Sequence, residues 1–255
     1  MATLKAVLFD LDDTLIDWSG FNSDWAAMEQ QHLRGVFDYV NADIHPISDF
    51  DAYVAEFRAR VNAAWTSART NLRAPHLGSL LVESAVALGA PAAALDSRRC
   101  LEAYNWHAAT GTVGFPDVSG ALSELTSHGL KIGIVTNAHQ PMWLRDIELR
   151  THNLFDHFPT CRISAADVGY LKPHPAIFQT ALNCLGTKPS ETVFVGDDPE
   201  ADIVGAQASG LLAVLRRGRR ASLGLTRIVP DEVLDSLEEL PAILDGWYPG
   251  WRDGA

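Results

Sequence analysis

The sequence predicts an α/β protein, a parallel sheet core flanked by helices with an all-helical unit inserted into it. Three observations predict it. Short apolar runs rich in β-formers recur at Leu4–Asp10, Leu130–Thr136, Thr192–Gly196 and Leu211–Leu215, as strands buried on both faces do. Helical patterns fill the gaps between the later runs, from about Phe115 onward, which is the alternation of strand–helix units. Between about Asp17 and Gly111 the pattern is helical alone, with no convincing strand.

Leu4–Asp10 (LKAVLFD) is the first buried strand, and it ends in carboxylates. In the inserted stretch, Trp25, Met28, Val36, Phe37 and Val40 suggest one helix. Phe50, Tyr53, Val54, Phe57, Val61, Ala64 and Trp65 suggest a second, with Glu56, Arg58 and Arg60 largely between them. His76–Leu88 and Pro91–Ala109 are expected as two more, separated at Gly89-Ala90-Pro91. The aromatic residues of these helices are expected to form the unit's own core, with a substrate-facing wall as the lesser alternative. Cys161–Ser164 offers one further short strand. The resulting division is a core of residues 1–16 and 112–255 around a helical unit of residues 17–111.

A chain of 255 residues is long enough for a sizeable α/β core and a smaller companion. Its net charge of -12 argues against a nucleic-acid binder, which needs a basic face. Arg216, Arg217, Arg219 and Arg220 around Gly218 are expected to be a solvated loop. Cys100, Cys161 and Cys184 lie far apart with no CxxC pair, so a disulfide framework is not expected. The N-terminal stretch resembles neither a signal nor a transit peptide, and apolar runs stop short of membrane-spanning length. A soluble, cytoplasmic protein with no membrane partner is the expectation.

Four places carry chemistry. Asp10, Asp12 and Asp13 put three carboxylates within four residues after a buried strand, where they repel one another unless a cation offsets them. Residues two apart at a strand's carboxyl end share a side, so Asp10 and Asp12 suit a hard cation such as Mg2+. Asp13 or Thr14 is better explained as capping a turn. Thr136 and Asn137 end the next confident strand, where a hydroxyl and a backbone amide can donate to phosphate oxygens. Lys172 sits in Leu171-Lys172-Pro173-His174-Pro175, a loop stiffened by two prolines, with Pro175 placed to open a helix. Last, Gly196-Asp197-Asp198-Pro199 again ends a strand in acids. Asp198 before proline is explained as a helix cap and Glu200 by the positive helix end, but Asp197 and Asp202 are not explained that way.

In this order the four segments resemble the motifs of the haloacid dehalogenase-like superfamily. Asp10-Leu11-Asp12-Asp13-Thr14 resembles its DxDxT motif and Thr136 its Ser/Thr motif. Lys172 resembles the third motif, and Gly196-Asp197-Asp198 with Asp202 the acidic fourth. Gly205–Gly210 is similar to the helix that follows. The resemblance spans nearly the whole chain. It departs at Ala138 and Asp13, where glycine, or glycine or asparagine, is common.

What the resemblance implies is a phosphomonoester hydrolase with a Rossmann-like core whose helical insertion is a C1-type cap. It implies Asp10 as nucleophile, forming an aspartyl-phosphate, and Asp12 as acid and then base. It implies Mg2+ held by Asp10, the backbone carbonyl of Asp12 and Asp197, with Asp202 acting through water or hydrogen bonds. Lys172, Thr136 and the Asn137 amide would offset phosphoryl charge. A small phosphorylated metabolite is the implied partner. A metal-independent dehalogenase is the runner-up, disfavoured by Asp12, since a halide leaving group needs no proton. A phosphomutase would need cap residues for a sugar phosphate, with Arg58, Arg60, Arg69, Arg73 and His76 as candidates. A non-enzymatic interaction module would be expected to have lost a motif residue, and none is missing. Oligomeric state is not readable from the chain.

Overall fold

The computed structural model describes residues 3–21, 24–47, 49–218 and 228–253. The chain begins with β1 (Ala6–Phe9) and β2 (Ile16–Asp17), then makes four helices, α1 (Trp25–Asp43), α2 (Phe50–Asn71), α3 (Leu77–Ala87) and α4 (Ser97–Tyr104). It returns through β3 (Val113–Gly114), α5 (Val118–Ser127), β4 (Lys131–Thr136), α6 (Met142–Thr151), β5 (Cys161–Ser164) and α7 (Ala165–Val168). Next come α8 (Pro175–Leu185), β6 (Thr192–Gly196), α9 (Gly205–Ala208), β7 (Leu212–Arg216), β8 (Glu232–Leu234) and α10 (Leu240–Trp247).

Six strands form one parallel sheet in the order β5-β4-β1-β6-β7-β8, the Rossmann-like arrangement expected. Alternate residues of β1 face opposite layers. Val7 and Phe9 pack with Leu122, Leu125, Leu240 and Leu244, while Ala6 and Leu8 pack with Ile177, Phe178 and Leu182. A strand buried on both faces must be apolar throughout, which is why its sequence shows no alternation. From central β1 the chain fills one side of the sheet with β4 and β5, then crosses to the other with β6. The carboxyl ends of β4, β1 and β6 therefore flank a topological switch, where open α/β sheets form a crevice.

The four helices between β2 and β3 have a core of their own, built on Tyr53, Val54, Phe57, Leu77, Leu81, Cys100 and Leu101. The chain leaves and re-enters the sheet domain through a short antiparallel ribbon, Ile16 opposite Gly114 and Asp17 opposite Val113. That ribbon and β8 carried no signal in the sequence, because strands of two or three residues are too short to show a period. The helix expected at Pro91–Ala109 is much shorter. A 3-10 turn at Ala92–Ala94 precedes α4, Asp96 caps α4 by accepting from the Arg99 amide at 3.0 Å, and Asn105 ends it in the left-handed region at φ 48°.

The arginine cluster also departs from expectation. Arg216 is buried, only 4% exposed, and donates to Asp117 at 3.1 Å, joining β7 to the start of α5. Arg217 pairs with Asp235 at the surface, and Arg219 and Arg220 lie outside the described residues. No described helix is long and apolar enough to cross a membrane.

Close helix packing in the inserted unit depends on Gly35 of α1. A Cβ there would lie 2.2 Å from the Ala103 carbonyl oxygen of α4. Alanine gains about 1 kcal/mol over glycine in an open helix. Gly35→Ala is nonetheless expected to lower the melting temperature and to speed limited proteolysis between residues 17 and 111, because the two helices must separate.

Candidate active site

Asp10 prolongs β1, its amide donating to the Val195 carbonyl at 2.9 Å. Thr136 ends β4 and Asp197 directly follows β6, so three neighbouring strands deliver polar groups to one crevice. All three residues are buried, at 7%, 1% and 1% exposure.

Lys172 arrives from the loop before α8 and is itself 3% exposed. Its ammonium donates to Asp10 Oδ1 at 2.5 Å, to the Val135 carbonyl at 2.8 Å, and pairs with Asp202 Oδ1 at 2.7 Å. Asn137 clasps the lysine's backbone from both sides, accepting from its N–H at 2.7 Å and donating to its carbonyl at 3.1 Å. Burial alone would lower the Lys172 ammonium, but Asp10 and Asp202 outweigh it and hold the group protonated. Burial pushes the Asp10 carboxyl up to about 7, against the pull of Lys172 and with Asp202 and Asp12 adding to the rise.

Asp202 lies in a π-helical turn, Pro199–Val204, that widens the backbone ahead of α9. Its Oδ2 accepts from the Asp198 amide at 3.0 Å and its Oδ1 is on Lys172. Asp198 caps the turn by accepting from the Glu200 and Ala201 amides at 3.0 Å each. Gly196 makes the arrangement possible, because a Cβ there would sit 2.2 Å from Asp202 Oδ2.

Asp10, Asp197 and Asp202 each present an oxygen within 4.8 Å of the others. Three buried carboxylates against one buried ammonium leave two negative charges, and an all-oxygen donor set of that charge fits a hard divalent cation. Lys172 takes up one oxygen of Asp10 and one of Asp202, and the Asp198 amide takes up the other oxygen of Asp202.

Asp12 sits at the edge of the same crevice, 32% exposed at its side chain. Its Oδ1 accepts from Arg145 Nη2 at 2.5 Å and from Trp18 Nε1 at 2.8 Å. Asp13 adopts the left-handed conformation at φ 59° and accepts from the Trp18 amide at 3.3 Å, the turn-closing role expected of it. A left-handed residue is what glycine or asparagine supplies more easily, so the departure at Asp13 is a conformational one.

Sequence reasoning missed the supports of Asp12. Arg145 also pairs with Glu148 at 2.8 Å, and Glu148 accepts from Trp106 Nε1 at 2.8 Å. Burial lowers the Arg145 guanidinium, but Asp12 and Glu148 more than reverse this. Arg145 and Glu148 stand three apart on α6, on a face that also buries Met142 and Leu149. A charged pair on an otherwise apolar helix face was the available signal.

A cavity of about 550 Å3 opens between this crevice and the helical unit. Phe57 and Trp65, expected in the helical core, line it together with Trp18, Phe21, Trp25 and Tyr104. The aromatic residues thus form core and wall at once.

The chain belongs to the haloacid dehalogenase-like hydrolases: that family's model matches residues 4–210. Among curated relatives, it is 29% identical over 213 residues to the glyceraldehyde 3-phosphate phosphatase of Methanothermobacter thermautotrophicus, covering 83% of this chain and 85% of that one. It is 29% identical over 240 residues to the phosphoglycolate phosphatase of Photorhabdus laumondii, covering 93% and 91%. Among solved structures, a HAD phosphatase from Thermococcus onnurineus superposes with a TM-score of 0.60 at 26% identity, covering 95% of this chain and 99% of that one. A 2-haloacid dehalogenase from Pseudomonas syringae does so with 0.61 at 25%, covering 96% and 99%.

Two expectations follow from the geometry. Gly196→Ala displaces Asp202 and with it the lysine, and should cut turnover by about a hundredfold, as misplacements near 1 Å do, while the circular dichroism spectrum keeps its native shape. His139 borders the cavity, and burial, Arg145 and His76 lower it from 6.5 to about 4. The unfolded chain therefore takes up a proton below pH 6.5 that the folded chain refuses until about pH 4. His139 thus withdraws stability as pH falls through that window. His139→Gln should lose less melting temperature than the parent between pH 6.5 and 4, by on the order of 10 °C.

Proposed function

We propose that the protein is a Mg2+-dependent phosphatase that hydrolyses small phosphomonoesters through an aspartyl-phosphate on Asp10. The observation that carries this reading is the buried Asp10–Asp197–Asp202 cluster with Lys172 at its centre. The names of the relatives support the phosphatase class. Asp12 favours it over the dehalogenase also found among structural neighbours, because an alkoxide leaving group needs a proton donor and a halide does not.

In this proposal Asp10 Oδ2 attacks phosphorus while Oδ1 stays on Lys172, which fixes the carboxylate's orientation. With both of its donors on Oδ1, Asp12 has Oδ2 left to pass a proton to the departing alkoxide. The same oxygen then takes a proton from the water that cleaves the acyl phosphate, freeing phosphate and restoring Asp10. Lys172, the Thr136 hydroxyl and the Asn137 amide offset charge on the transferred group. Asp10, Asp197 and the Asp12 carbonyl would hold Mg2+, which supplies positive charge to the phosphoryl oxygens when bound.

The division into a core of residues 1–16 and 112–255 and a cap of residues 17–111 belongs to the same proposal. The cap closes the cavity over Asp12 and keeps bulk water from the first step. A cytoplasmic setting is proposed as well, supported by three free cysteines, of which Cys100 is held up to about 11 by burial and Asp96.

The test is phosphate release from a panel of phosphomonoesters with Mg2+ and with EDTA. Turnover is expected with the metal, near zero in EDTA, and at least a thousandfold lower in Asp10→Asn. Chloride release from 2-chloropropionate in EDTA, with no phosphatase activity, would replace this reading by the dehalogenase.

A further inference from the structure

The cavity over Asp12 has an unusual balance of side chains for a site meant to hold a small anionic metabolite. Six of the residues that line it are aromatic: Trp18, Phe21, Trp25, Phe57, Trp65 and Tyr104. Three of them form a connected face, with ring centroids 5.7 Å apart for Trp18–Phe21, 5.8 Å for Phe21–Trp25 and 6.4 Å for Trp18–Trp25. Trp25 is 43% exposed, a large apolar surface left open on a helix that buries Leu33, Val36 and Val40.

The charges point the same way. Asp12, Asp13 and Glu29 border the cavity, and Arg145 is the one arginine or lysine among its described lining residues. Arg145 is already bonded to both Asp12 and Glu148, and its side chain is only 4% exposed. Asp12, Asp13 and Glu29 outnumber Arg145 and the Arg58 that pairs with Glu29, so a further anion would enter a site that is already negative. His139 stays neutral at pH 7 in its buried position and adds no cation. Arg58, which sits behind Glu29, is engaged with it at 2.6 Å.

We propose that the cavity takes an uncharged, ring-bearing leaving group, so that the preferred substrate is the phosphomonoester of a neutral alcohol carrying a planar ring. Arylalkyl alcohols and nucleosides both have this chemistry: an aromatic face for the tryptophans and no second anion. Esters whose alcohol carries a carboxylate or another phosphate meet Asp12 and Asp13 with no uncommitted arginine or lysine among the described residues that line the cavity. The preference deepens the phosphatase reading and rests on it. It separates this chain from relatives whose names specify phosphoglycolate or pyrophosphate.

The test compares kcat/KM, with Mg2+, for benzyl phosphate, uridine 5′-monophosphate, phosphoglycolate and pyrophosphate. Methyl phosphate is the ring-free, uncharged control. Benzyl phosphate or the nucleotide is expected to exceed phosphoglycolate and pyrophosphate at least tenfold, and the better of the two identifies the ring. Trp25→Ala should raise KM for that ester about tenfold, and by more than it raises KM for methyl phosphate. Faster hydrolysis of phosphoglycolate or pyrophosphate would overturn the proposal, as would a Trp25→Ala loss equal on every substrate. Calorimetric binding of the same esters to Asp10→Asn reads the preference without turnover. Ring-selective binding there upholds the inference even if the parent releases no phosphate, an outcome that would count against the phosphatase reading alone. Equal or tighter binding of phosphoglycolate would overturn the inference.

Discussion

A single buried ammonium organises this protein. Lys172 is removed from water and can keep its charge only if carboxylates follow it. Asp10 comes from the end of β1, Asp202 from the turn after β6, and the Val135 carbonyl from β4. Removing one partner of a buried pair costs about 3–5 kcal/mol, because the other charge is left stranded. The requirement that fixes the geometry of the crevice therefore also ties three sheet elements and one loop together. The negative charge that remains is what makes room for a divalent cation.

Much of the sheet was legible because buried parallel strands leave a conspicuous trace, an apolar run that stops in acids. The runs at Leu4–Asp10, Leu130–Thr136 and Thr192–Gly196 each contain a central strand of the sheet. The residues brought into the crevice were legible for the same reason, each standing just beyond a strand or a proline-stiffened loop. What could not be read was pairing. Nothing local indicates that Asp202 would grip Lys172, or that the Asn137 side chain would hold the lysine's backbone, since both contacts join segments 30 and 35 residues apart. Arg145 and Glu148 were hidden differently, because charged residues on a helix are ordinarily taken as solvent-facing.

The aromatic residues illustrate a second limit. Periodicity places Phe57, Val61 and Trp65 on one face of α2, but it does not say what that face meets. Toward the inserted unit it meets core. Toward the sheet domain it meets the cavity. One stripe can do both because helix α2 runs past the edge of its own bundle, and only the tertiary arrangement divides the stripe into its two parts.

Trp106 follows α4 in the helical unit, packs 6.4 Å from the exposed ring of Trp25, and donates to Glu148 on the sheet domain. Glu148 holds Arg145, and Arg145 holds Asp12. The helical unit and the sheet domain are thus yoked by an indole hydrogen bond that begins a chain of contacts ending at Asp12. If the helices swing away, Glu148 loses its indole partner and the arginine beyond it loses its brace. The hold on Asp12 therefore depends on contact between the helices and the sheet domain.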